Sequence, residues 1–162
     1  MVVRSPGPSV TNIINSILTI RNFRKSDIPQ VAPLVEGTFH ENYETDLFVS
    51  MSEKWPEGQL VACAGNDVVG FLMATEHRPL QARVLMLCVR DDHRGLGIGR
   101  ALMRTIMTRA IVRGCRNLTL EVRVSNEKGL AFYAKLGFEM IGLIPKFYAD
   151  GESAFLLKKV LR

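Results

Sequence analysis

A mixed β-sheet flanked by helices, α/β in class with about seven strands and four helices, is predicted by three observations on this 162-residue chain. Short apolar or alternating runs of strand length recur along it. One long run, Gly99–Arg113, instead carries apolar residues at helical spacing, with Ile98, Leu102, Ile106 and Ala110 four apart. The runs follow one another as β-α-α-β-β-β-α-β-α-β-β, an order that places helices over a sheet holding both parallel and antiparallel neighbours.

Residues 1–16 read as a flexible tail with Pro6-Gly-Pro8 in it, and residues 17–162 as one domain. Leu18–Arg24 alternates and forms the first strand. Ser26 or Asp27 caps a helix that has Pro29 in its first turn and runs toward Glu36. Gly37–Tyr43 reads as a break, and Glu44–Glu53 as a second short helix. Leu60–Ala64, Val68–Thr75 and Ala82–Arg90 are three consecutive strands, the first two joined by a hairpin turn at Gly65-Asn66-Asp67. The apolar run Val84–Val89 leads into the turn Arg94-Gly-Leu-Gly-Ile-Gly99 and the long helix, which Gly114 ends. Asn117–Val124 alternates strictly, with Leu118, Leu120, Val122 and Val124 on one face. Ser125 or Asn126 caps a last helix through Leu136, with Gly137 as its stop. Phe138–Tyr148 and Glu152–Val160 then close the chain as a hairpin around Asp150-Gly151.

Composition excludes several classes. The chain is 47% apolar and 23% charged, which suits a packed globular core. Its three cysteines, Cys63, Cys88 and Cys115, are far apart with no C-x-x-C pair, so they read as small core residues in a reducing, cytoplasmic setting. No apolar stretch has the length of a membrane span, and Val10–Ile20, broken by Asn12, Asn15 and Ser16, is no convincing signal peptide. His40, His77 and His93 lack metal-ligand spacing, so no metal is expected, and His93 reads as solvated. The net charge of +5 comes largely from arginines crowded between Arg90 and Arg123. Nucleic acid is an unlikely partner, because no helix-turn-helix, zinc-finger or RNA-recognition signature accompanies them.

The glycine turn is the feature with chemistry in it. A strand, a side-chain-free turn and a helix start leave N–H groups and the positive dipole end facing outward, which suits a phosphate. Its spacing is neither the G-x-G-x-x-G of a dinucleotide fold nor a P-loop. What remains is R-x-x-G-x-G, led by Arg94.

That motif, with Leu120-Glu-Val-Arg-Val-Ser-Asn126 and Ala131-Phe-Tyr-Ala-Lys-Leu-Gly-Phe138 downstream, resembles the GNAT acetyltransferase superfamily from about Leu18 to the C-terminus. Within it the chain looks most like protein N-terminal acetyltransferases, the ribosomal-protein alanine type and the archaeal relatives of NatA and NatE. The resemblance implies the acyl-CoA N-acyltransferase fold and acetyl-CoA as acetyl donor. It assigns cofactor contacts to Leu87, Cys88, Val89, Arg94, Gly95, Leu96, Gly97, Ile98, Gly99, Arg100, Asn126 and Tyr133. Leu87–Val89 would use backbone groups left unpaired where parallel strands splay. Phe39, His40, Glu41, Leu85, Phe147 and Tyr148 would meet the acceptor. Phe147 replaces a family tyrosine, so any bond from that hydroxyl is missing. Arg83 stands where NatE-type enzymes carry a tyrosine, whose role therefore does not transfer.

Catalysis is implied at Glu121, Glu41 and Tyr133. An α-ammonium with a pKa near 8 must lose a proton before attacking a thioester, and a carboxylate can accept it. Glu121 leads by resemblance, although alternation alone makes it an exposed charge beside Thr119 and Arg123. Glu41 is either a second base or an anchor for the cation. Tyr133 would protonate the leaving thiolate, although its pattern alone fits a core aromatic beside Phe132. The activity implied is acetylation of protein N-terminal α-amines in a direct ternary complex. Acetylation of lysine or a small amine, and a non-catalytic CoA- or nucleic-acid-binding module, are the alternatives. Monomer and homodimer both remain open, as does ribosome association.

Overall fold

The computed structural model describes residues 18–162, and the expected tail at 1–16 lies outside the described residues. Seven strands form one sheet in the order β1-β2-β3-β4-β5-β7-β6. They are β1 (Leu18–Asn22), β2 (Gln59–Ala64), β3 (Asp67–Arg78), β4 (Gln81–Val89), β5 (Asn117–Arg123), β6 (Glu139–Ile144) and β7 (Ala154–Val160). The helices are α1 (Ile28–Phe39), α2 (Thr45–Lys54), α3 (Ile98–Val112) and α4 (Glu127–Lys135). The mixed α/β class and the element count agree with the sequence.

Two apolar cores lie on opposite faces. Val31 and Val35 of α1, with Phe48 and Met51 of α2, pack on Phe71, Met73, Met86 and Cys88. On the other face Ile98, Leu102, Ile106 and Ala110 of α3 pack on Leu72, Val84, Leu118 and Leu120. The four-residue spacing of that stripe is therefore what seats α3. Helix α3 comes close enough to β3 that a Cβ on Gly70 would lie 3.1 Å from both Ile98 and Leu102. All three cysteines are buried and free, as small core residues should be.

Strand β1 stops at Asn22 rather than Arg24 and β3 runs on from Thr75 to Arg78, and two further boundary differences bear on the site. Helix α1 does not break at Gly37 but continues to Phe39, where His40 ends it in the left-handed region (φ 56°). Thr38 Oγ1 donates to the Leu34 carbonyl, 2.9 Å away, and Phe39 sets its ring edge-on to Tyr43. The last hairpin is shorter than expected, because β6 stops at Ile144 and Lys146 adopts φ 50°.

The sheet opens at one pairing. Strands β4 and β5 are parallel neighbours over three pairs only, ending at Arg83↔Thr119, while β4 stays paired to β3 as far as Val89. The two strands part beyond Arg83, and the β4 edge facing β5 is left without a ladder. Near the same point β4 bulges, since Met73 faces Met86 and Ala74 faces Val84, leaving Leu85 with no partner on β3. The bulge exchanges faces. Ala82 and Val84 point into the α3 core, whereas Met86 and Cys88 point into the α1 core.

Candidate active site

A cavity of about 670 Å³ opens where β4 and β5 part. Glu121 and Arg123 of β5, Leu85 and Leu87 of β4, Asn126 and Tyr133 around α4, Phe39, His40, Glu41 and Tyr43 after α1, and Tyr148 and Asp150 of the β6–β7 loop all line it. Leu118, Leu120 and Val122 point into the α3 core, so Thr119, Glu121 and Arg123 face the α1 side. That face is covered rather than solvated. Thr119 is 4% exposed, and the reading of Glu121 as an exposed charge fails because α1 and its loop lie over the strand.

Several polar side chains in the cavity have definite partners. Arg83 Nε lies 3.0 Å from both carboxylate oxygens of Glu121, with side-chain exposures of 24% and 12%. Tyr43 Oη donates to Glu41 Oε2 at 2.9 Å, and burial together with that bond pushes the phenol up to about 12. Arg123 donates to Asp150 (2.8 Å) and Glu152 (2.7 Å), and its guanidinium stacks on the Tyr148 ring. Tyr133 sits between Phe132 and Phe138, edge-on to both, with ring centres 5.0 and 5.7 Å away. Burial pushes its phenol well above the ordinary range, so the hydroxyl carries its proton at neutral pH. Asn126 caps α4 by accepting from the Gly129 amide at 2.9 Å.

The glycine turn lies beside this cavity, at the start of α3. Gly97 is the helix cap at φ 84° and supplies no capping side chain, so the first-turn N–H groups stay available. A Cβ at Gly95 or Gly97 would meet nothing within 4 Å, which leaves the backbone open to a phosphate. Leu96 is half-buried, Ile98 is buried in the core, Gly99 lies against Phe132, and Arg100 is exposed. Arg94 folds back, donating to the Val89 carbonyl (3.2 Å) and pairing with Asp91 (3.0 Å). The loop amides and the unpaired β4 edge thus fit a pyrophosphate and a pantetheine arm.

Some expected residues stand elsewhere. Phe147 stacks edge-on to Tyr148 without lining the cavity. Val89 faces a second hollow of about 520 Å³ with Gln30, Thr38 and Asp91. Cys88 turns its thiol into the α1 core, so only its backbone could meet a cofactor. His93 is not solvated. Its side chain is 12% exposed and bonds Asp92 at 2.7 Å. Tyr43 and Arg123 join the site without having been singled out by the sequence as site residues, although Arg123 lies within the Leu120–Asn126 segment that carries the resemblance.

Comparison with known proteins gives the geometry a family. The acetyltransferase (GNAT) family model matches residues 28–138. An uncharacterized N-acetyltransferase of Methanocaldococcus jannaschii is 33% identical over 88% of this chain and 91% of that one. An N-alpha-acetyltransferase of Sulfurisphaera tokodaii is 32% identical over 85% of this chain and 90% of its own. The crystal structure of Ard1 from Thermoplasma volcanium superposes with a TM-score of 0.86 at 29% identity, covering 90% of this chain and 99% of that one. The chain belongs to the GNAT acetyltransferase family and is an acetyltransferase.

Proposed function

We propose that the protein transfers acetyl from acetyl-CoA to the N-terminal α-amine of proteins, in a ternary complex without an acyl-enzyme. The observation that carries this reading is one cavity shared by Glu121, Tyr133 and Glu41 at the fork of β4 and β5. Its likeness to an N-alpha-acetyltransferase over most of both chains supports the choice of acceptor. The glycine turn and the unpaired β4 edge hold the donor, with Asn126 beside them. The acceptor enters between the α1–α2 loop and the β6–β7 loop, where Glu41 and Tyr148 stand.

The amine nitrogen forms the new C–N bond at the thioester carbonyl carbon as the C–S bond breaks. Glu121 takes the proton from nitrogen, directly or through water, and Tyr133 gives its proton to the departing sulfur. The ammonium that Glu41 holds first loses one proton to water. The second leaves nitrogen for Glu121 as the C–N bond forms and then restores Tyr133. Two protons therefore leave nitrogen, one to solvent and one in exchange for the proton that sulfur receives. Glu41 holds the incoming cation.

Peptides with free N-termini and N-blocked peptides containing lysine, offered with acetyl-CoA, test the acceptor. Activity confined to the blocked set overturns this reading in favour of lysine side chains. Glu121→Gln and Tyr133→Phe test the mechanism. Each should lower kcat by about 10²-fold, the lower end of what a positioned acid or base contributes.

A further inference from the structure

Arg83 occupies the last rung before β4 and β5 separate, and no role comes to it by resemblance. Beyond this rung no ladder bond ties the two strands, so nothing in the backbone sets the distance from Glu121 to β4. The guanidinium does so instead. Its Nε lies 3.0 Å from each oxygen of the carboxylate, across 38 residues of sequence and one strand gap. A glutamate side chain left to itself samples several rotamers, and a planar cation on one side of the carboxylate removes most of them. The other cavity carboxylates are engaged differently, Glu41 by the Tyr43 hydroxyl and Asp150 by Arg123. Only Glu121 is fixed from the strand that carries the Leu85 bulge.

We propose that Arg83 is the positioning residue for Glu121. Its guanidinium holds the carboxylate at the fork, with the remaining oxygen lone pairs turned to where the acceptor nitrogen gives up its proton. Arg83 itself touches neither substrate. The inference rests on Glu121 being the proton acceptor.

A double-mutant cycle separates the two claims. The kcat, both KM values and the melting temperature are measured for R83M, R83K, E121Q and R83M/E121Q. Loss of the pair should lower kcat in R83M by about 30-fold, within the usual range for directly coupled residues. Both KM values should stay within about threefold, because neither substrate loses a contact. R83K should recover part of the loss, and it serves as the folded comparison should R83M not fold. In the E121Q background, R83M should change kcat by less than about twofold, since the group it positions has gone. An equal fall in both backgrounds, or a lower melting temperature with kcat unchanged, overturns the inference. If E121Q is impaired and R83M is not, Arg83 alone is excluded. If E121Q acetylates at the parent rate, the role of Glu121 fails and takes this inference with it.

Discussion

The Arg123 guanidinium carbon lies 3.9 Å from the centre of the Tyr148 ring, and the same side chain donates to Asp150 and Glu152. A single β5 residue therefore clamps the loop between β6 and β7. The loop needs the clamp, because Lys146 and Gly151 both turn at positive φ and, among the described residues, Tyr148 is otherwise held by its backbone bonds to Glu152 and Gly151 and by the neighbouring Phe147 ring. Arg123→Met should raise the KM for peptide by about tenfold, the equivalent of one partly desolvated cation–π contact. The KM for acetyl-CoA should not move. Initial rates with each substrate varied in turn check this.

Acid should release the same clamp. Bonds from Ser125 and Arg123 hold the Glu152 carboxyl down at about 2, well below its ordinary value. A carboxylate depressed in the folded state stabilises it above the unfolded pKa, and that contribution fades as pH falls through about 4.5 toward 2. Urea midpoints of the parent should fall more steeply between pH 5 and pH 3 than those of Glu152→Gln, which has no such group to protonate. Equal slopes would show that the pairing contributes nothing.

Gly97 offers a clean separation of backbone from packing. An added methyl meets no neighbour within 4 Å, yet the backbone sits at φ 84°, where L-residues are strained. Gly97→Ala should cost about 1 kcal/mol of stability. It should also weaken acetyl-CoA binding, by crowding the open side of the turn, while the peptide KM stays put. Thermal melts and acetyl-CoA titration read the two effects independently.

Cys88 is a negative control at the centre of the molecule. It is 2% exposed, and burial pushes its thiol up to about 12, so almost none is thiolate at neutral pH. A thiol reagent should leave the native protein active, and Cys88→Ala should keep kcat within about twofold while losing about 1–2 kcal/mol of stability to the small void. Inactivation by the reagent without unfolding would point to a chemical role for the sulfur.

The fold was legible because its punctuation is local. Gly114 and Gly137 mark helix ends at positive φ, Asn126 is a capping side chain, and the α3 stripe repeats every four residues. Helix α1 escaped because its last turn is held by Thr38 and by Phe39 against Tyr43, so Gly37 did not act as a breaker. The Leu85 bulge was hidden because it exists only relative to β3, and alternation along β4 alone runs through it unbroken. The cavity residues were legible where a motif covers them, as at Glu121 and Tyr133. Arg83 was not, since its partner is 38 positions away and the rung that aligns them is set by where two strands diverge.

The sheet order has a consequence in time. Strand β7, which follows every other described strand in the chain, pairs with all seven residues of β5 and, among the described residues, is the only sheet neighbour of β6. Until it docks, the strand bearing Glu121 is tied to the sheet by three pairs to β4, and the loop bearing Tyr148 has no second wall. The cavity wall around Glu121 and Tyr148 is therefore completed later than the glycine turn and α3, which precede it in the chain. A chain cut before Ala154 would keep the glycine turn and α3 yet lose the strand that backs Glu121 along its whole length.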